Sequence, residues 1–117
     1  PLPAAKLDVV NVYQWLIEDQ LVPPGKIAIY GQSAGATLTV LALQEIARRS
    51  LPFPACGCPV SAWTPEVQGH TNPTMTALMV GNQDEVGQST GKSADPLSEH
   101  YNFFAGKFEG MPPLFVM

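Results

Sequence analysis

Charge is what this sequence has least of, and the little it has leans acidic. Lys and Arg number 6 against 10 Asp and Glu, together 14% of 117 residues, for a formal net charge of −4. An acidic chain without a basic run offers no electrostatic footprint for nucleic acid or an anionic membrane surface. No apolar stretch approaches the roughly 20 residues that span a bilayer, and no signal-peptide pattern is visible. Cysteine is scarce too: Cys56 and Cys58, spaced C-x-C, are the only two. On a strand they share a face, but a disulfide between them would be strained. Zinc would need two more ligands, and only His70 is near. The pair reads as small buried strand residues, and neither a metal nor a cofactor is expected.

What is abundant is apolar character, 45% of the residues. A chain of this length buries one modest core, so it is one domain or part of one. It opens on Pro1 rather than Met and closes at Met117 inside an apolar run, and it is expected to be an internal piece of a longer polypeptide. No feature assigns a compartment, and the cytoplasm is the default.

Helical periodicity runs from about Lys6 to Leu21, after a loop at Pro1 to Pro3, with Val9, Val12, Tyr13, Leu16 and Ile17 on one face. Trp15 lies off that stripe, against a neighbouring segment. Pro23-Pro24-Gly25 stops the helix. Lys26 to Tyr30 is a short strand, apolar enough to be central, parallel and covered on both faces. A second helix follows Ser33 to about Arg49. Its first half, Ala34 to Leu43, is small or apolar all round and is expected to be buried, with Gln44, Glu45, Arg48 and Arg49 reaching water. Ala55 to Ser61 is another strand, although Pro59 is unusual there. Alternating helix and strand predict an α/β fold with a parallel sheet flanked by helices. From residue 66 to about 110 the pattern weakens, with short helices expected near Met75–Val80 and Pro96–Phe104. An insertion of that length between strands is more often functional than filler. Pro112 to Met117 opens a further strand. The core is thus 1–65 and 111–117, with 66–110 inserted.

Between the first strand and the second helix lies Gly31-Gln32-Ser33-Ala34-Gly35, a G-x-S-x-G turn in the strand–turn–helix setting of a nucleophile elbow. Gly31 and Gly35, lacking a Cβ, leave room for a sharp bend. Ser33 is expected at its tip in a strained backbone conformation, its Oγ above the sheet and near the positive end of the helix. The Ala34 N–H would face a developing oxyanion.

These pieces together resemble the α/β-hydrolase superfamily, most closely the hormone-sensitive-lipase-like esterases. The likeness rests on the Tyr13-Gln14-Trp15-Leu16 helix, the Lys26–Ala36 elbow, the Pro54–Trp63 strand and the Met111–Val116 strand opening. It implies a partial α/β-hydrolase fold whose 66–110 insertion forms part of a substrate cap. It makes Ser33 the acyl-forming nucleophile and Ala34 an oxyanion-hole donor, with a small-molecule ester as substrate. Trp63, following a strand at the C-terminal side of the sheet, would line the substrate pocket. Gln32 replaces the acidic residue usual before the serine, and Ser61-Ala62-Trp63-Thr64-Pro65 departs from Ser-Pro-Trp-x-Asp. In this family the oxyanion loop lies upstream of the elbow and the acid and histidine follow the last strand begun here. His70, His100, Asp84, Glu85 and Asp95 fall in the cap instead. The resemblance therefore implies an ester hydrolase as parent and an inactive 117-residue piece. A non-catalytic binder like the gibberellin receptors, an amide or formamide hydrolase, and a truncated product without function are the competing readings. The oligomeric state is left open.

Overall fold

The computed structural model describes residues 2–62 and 106–117. Two helices and two strands carry this part of the chain: α1 (Leu2–Glu18), β1 (Ala28–Gln32), α2 (Ala34–Arg48) and β2 (Cys56–Val60). The strands pair in parallel, from Ala28 opposite Cys56 to Gln32 opposite Val60. Parallel neighbours need a crossover, and α2 supplies it.

Helix α1 starts at Leu2, earlier than its apolar periodicity suggests, with Pro3 in the first turn, where a missing N–H is no loss. The expected loop at Pro1 to Pro3 is therefore helical from Leu2. The helix stops at Glu18, and Leu21 follows in the left-handed region at φ 55. A 3₁₀ turn at Pro24–Lys26 then feeds β1. The buried face is also rotated from the expected one. Val10 and Tyr13 are fully buried, with Val9 and Ile17 packed beside them, whereas Val12 is 58% exposed. Lys6 lies on the same buried stripe: it is 6% exposed and paired with Glu45 of α2, and Lys6, Val10, Tyr13 and Ile17 fall at steps of four, three and four. Trp15 stays half exposed.

Helix α2 is the centre of the packing. Ala36, Thr37 and the run from Thr39 to Leu43 are buried, as the small and apolar composition predicts. Ala42, Leu43 and Ile46 join Val10 and Tyr13 in one core, closed by Ile27, Ile29, Leu51, Phe53, Met111 and Leu114. Each fully buried aliphatic side chain contributes about 1.5–3 kcal/mol. The helix ends in a Schellman motif: Ser50 takes φ 55, its N–H bonds the Ala47 carbonyl, and the Leu51 N–H bonds that of Ile46. Tyr13 ties α1 to the chain beyond, its hydroxyl donating to the Pro52 carbonyl at 2.6 Å. Glu45 does not reach water as expected. It is 4% exposed and accepts from Arg48 at 2.5 and 2.9 Å and from Arg49 at 2.9 Å, with Lys6 at 3.8 Å.

The third strand position is also taken. Leu114 bridges Gly57 in parallel on the side of β2 away from β1. Gly57 donates to Pro113 and accepts from Phe115, and further on Pro59 accepts from Met117 and Ser61 donates to it. In that alternation residue 59 would supply the missing donor to Phe115. Proline has none, which is why a bridge stands where a continuous ladder was expected. Strand β2 forms despite its proline because the donorless nitrogen falls on the sparser side.

Both helices lie on one face of this sheet. On the other face Tyr30 is 65% and Phe115 60% exposed. Among the described residues, then, β1 is covered on one side rather than two. The insertion reading of 66–110 and its two short helices falls mostly outside the described residues. No described helix is long and apolar enough to cross a membrane.

Candidate active site

Strand β1 runs two residues further than its apolar pattern suggests, so Gly31 and Gln32 are its last residues and Ser33 is the single residue between strand and helix. A one-residue junction cannot be relaxed. Ser33 sits at φ 55, ψ −119, a region that L side chains avoid and glycine favours. Such a conformation costs of the order of 1–3 kcal/mol and persists where the surroundings over-determine it. Here the surroundings are visible. The Ser33 N–H donates 2.9 Å to the Val60 carbonyl at the end of β2, and the Ser33 carbonyl accepts from Ala36 and Thr37 at the start of α2. The residue is pinned from both sides while its side chain stays exposed and makes no capping bond.

The sharpness of the bend depends on one glycine more than the other. A Cβ on Gly31 would overlap the carbonyl of Gly35 and lie 2.7 Å from Thr39 Oγ1. A Cβ on Gly35 would meet nothing within 4 Å. The expectation that both glycines make steric room is thus corrected: Gly31 yields the space, and Gly35 brings the carbonyl that fills it. Thr39, a residue sequence reasoning passed over, holds that carbonyl. Its hydroxyl donates 2.9 Å to Gly35 O, and its side chain is 2% exposed. Gly57 serves the same end on the neighbouring strand, where a Cβ would crowd Leu43 and Leu114. Glycine at Gly57, opposite the middle of α2, was the one available signal for this close approach.

The amides of Ala34 and Gly35 open α2, where a helix supplies no acceptor of its own. No backbone acceptor outside the helix takes them among the described residues. Ala34 and Gln32 are exposed beside Ser33. An exposed hydroxyl, an adjacent unspent N–H and the positive end of a helix can together receive a carbonyl carbon and its developing negative oxygen. What the described residues do not bring together is a base: His70 and His100 lie outside them, as do Asp84, Glu85, Asp95 and Trp63. Nor do they hold three or more His, Cys, Asp or Glu clustered for a metal. A cavity of about 470 Å³ lined by Lys6, Leu41, Gln44, Glu45, Arg48 and Lys107 borders the second half of α2 and includes no elbow residue.

Comparison with known proteins converges on one description. The alpha/beta hydrolase fold family matches residues 1–117. An acetyl-hydrolase of Streptomyces hygroscopicus is 32% identical, covering 99% of this chain and 40% of that protein. An esterase from the bacterial hormone-sensitive lipase family is 29% identical with a TM-score of 0.85, and EstE5, whose crystal was soaked with p-nitrophenyl butyrate, is 29% identical with a TM-score of 0.82. Each covers 99% of this chain, which spans 40% of the length of either structure.

Proposed function

Because the chain belongs to the α/β-hydrolase fold family, on its hormone-sensitive-lipase-like side, we propose that it carries the nucleophile of a serine carboxylesterase. The carrying observation is the exposed Ser33 at φ 55, ψ −119 between the last residue of β1 and the first of α2. Ser33 Oγ attacks the ester carbonyl as its proton passes to a histidine. The carbonyl oxygen becomes an oxyanion that the Ala34 N–H binds, and collapse expels the alcohol with the proton returned to it. Water then repeats the sequence on acyl-Ser33 and frees the acid. Serine is a poor nucleophile without its base. With the chain spanning 40% of its relatives' length, we place the histidine, its acidic partner and the second oxyanion donor in the remainder that those relatives have. The 117 residues by themselves are accordingly proposed to be inactive. Trp63 is proposed as a wall of the acyl or alcohol pocket.

The relatives favour a short acyl group. One is an acetyl-hydrolase, and another was soaked with a butyrate ester. The test uses the longer protein that contains this segment. A fluorophosphonate probe is expected to label Ser33, and Ser33→Ala to lower turnover of p-nitrophenyl acetate by at least about 10³-fold with the unfolding midpoint retained. Unchanged turnover removes Ser33 from the chemistry. Failure of wild-type protein to label would favour a binder built on the same fold.

A further inference from the structure

Thr39 is a polar residue in the buried half of α2, 2% exposed, to which the acyl-serine chemistry gives no part. Its two branches lead to two strands. The hydroxyl donates 2.9 Å to the Gly35 carbonyl and lies 2.7 Å from the place where Gly31 of β1 would carry a Cβ. The methyl lies 3.6 Å from the corresponding place on Gly57 of β2. One side chain thus fills the gap that two glycines open on neighbouring strands. Thr39, Gly31 and Gly57 are all buried, so α2, β1 and β2 enclose the arrangement by themselves, whatever covers the opposite face of the sheet.

Resting on Ser33 as the nucleophile, we propose that Thr39 is a positioning residue for it, in which hydroxyl and methyl have separable roles. A threonine hydroxyl often bonds the carbonyl four residues back in a helix, and the usual consequence is a slight bend. What differs here is the carbonyl that is held. Gly35 O fills the place of the side chain that Gly31 lacks, so it is where the strand entering Ser33 touches the helix leaving it. Helix geometry already gives that oxygen one donor, the Thr39 N–H. The hydroxyl adds a second and fixes the direction in which the oxygen points. With the oxygen fixed against Gly31, the strand end and the first helical turn keep their spacing, and Ser33 between them is held at φ 55, ψ −119. With the hydroxyl gone, the carbonyl can swing off Gly31 and Ser33 can relax, carrying its Oγ away from the line of attack. A displacement of about 1 Å costs about 10²-fold in rate, so a partial relaxation costs several-fold. The methyl takes no part in that bond. It packs α2 against β2 and supports the fold, as a buried methyl does.

The experiment measures the rate of fluorophosphonate labelling at Ser33, with p-nitrophenyl acetate kinetics and urea unfolding alongside, in the longer protein that contains this segment. Thr39→Val keeps the shape and loses the hydroxyl. It is expected to label several-fold more slowly and to lose the same factor in kcat, with KM and the urea midpoint held. Thr39→Ser keeps the hydroxyl and loses the methyl. It is expected to label and turn over as wild type does, with a lowered urea midpoint. Wild-type labelling and kcat in Thr39→Val overturn the positioning role and leave Ser33 as the nucleophile. So does a Thr39→Val protein whose urea midpoint falls as far as that of Thr39→Ser and whose loss of rate matches the fraction left folded. Wild-type protein that does not label at Ser33 removes the nucleophile itself, and the positioning role with it.

Discussion

The two ends of α2 solve opposite problems. Its N-terminal end carries no charge, and the chain is squeezed there until a glycine touches a carbonyl and a serine takes a glycine's conformation. Its C-terminal end is closed by a Schellman turn with Ser50 in the left-handed region, and is loaded with charge around a buried carboxylate. Strain at the first end is affordable because the second end and the apolar middle anchor the helix. The lesson is a division of labour: one helix presents an exposed serine at one terminus and is held in place from the other.

The largest expected effect is at the tight end. Gly31→Ala must push its new methyl into the Gly35 carbonyl, which is backbone and cannot swing aside. We expect loss of at least about 3 kcal/mol of stability, or a shifted elbow, and in the longer protein loss of ester turnover. Gly35→Ala, with open space around the new methyl, should be far milder. Equal effects in thermal melts and ester assays would erase the asymmetry drawn between the two glycines.

Next comes the charged end. Glu45→Gln removes the carboxylate that faces Lys6, Arg48 and Arg49, a loss of about 2–3 kcal/mol once the exposure of Arg48 is allowed for. Its pH signature is specific. The Arg48 hydrogen bond, working against burial and helped by Arg49 and by the charges of Arg48 and Lys6, holds the Glu45 carboxyl at about 2, below its ordinary 4.5. Between those values the unfolded chain binds the extra proton, so this contribution is full above about pH 4.5 and fades as pH falls toward 2. Urea midpoints across that window should slope less steeply in the glutamine variant than in wild type.

Smaller effects should come from the single hydrogen bonds. Tyr13→Phe strands the Pro52 carbonyl and is expected to cost about 1 kcal/mol in urea unfolding. Thr39→Val keeps the shape but frees the Gly35 carbonyl. We expect little change in the urea midpoint and a several-fold drop in kcat with KM held, restored by Thr39→Ser. A drop in stability without a kinetic effect would make Thr39 ordinary helix packing.

How much of this could be read beforehand follows the range of the forces involved. The elements, their order and the parallel pairing were legible because helix and strand periods and proline stops act over a few residues. The elbow was legible because glycine, serine and glycine at alternate positions between a strand and a helix carry a local geometric meaning. The Lys6–Glu45 pair was not, because two charged residues 39 positions apart on different helices give no periodic signal, yet Lys6 lies on the buried stripe of α1 and Val12 does not. Thr39 was hidden for a related reason: a threonine inside a buried helix looks like filler until the carbonyl it holds is seen pressing on Gly31.

Pro59 has a consequence beyond the bond it forgoes. Along β2 the odd positions turn their polar groups toward 113–117 and Val60 turns its carbonyl toward Ser33. Threaded one step out of phase, the strand would present its ring nitrogen to β1 and leave a carbonyl there unanswered beside the elbow, while sending Gly57 to the wrong side of the sheet. The imino acid acts as a key cut for a single orientation, so the partner that steadies Ser33 arrives correctly phased or not at all.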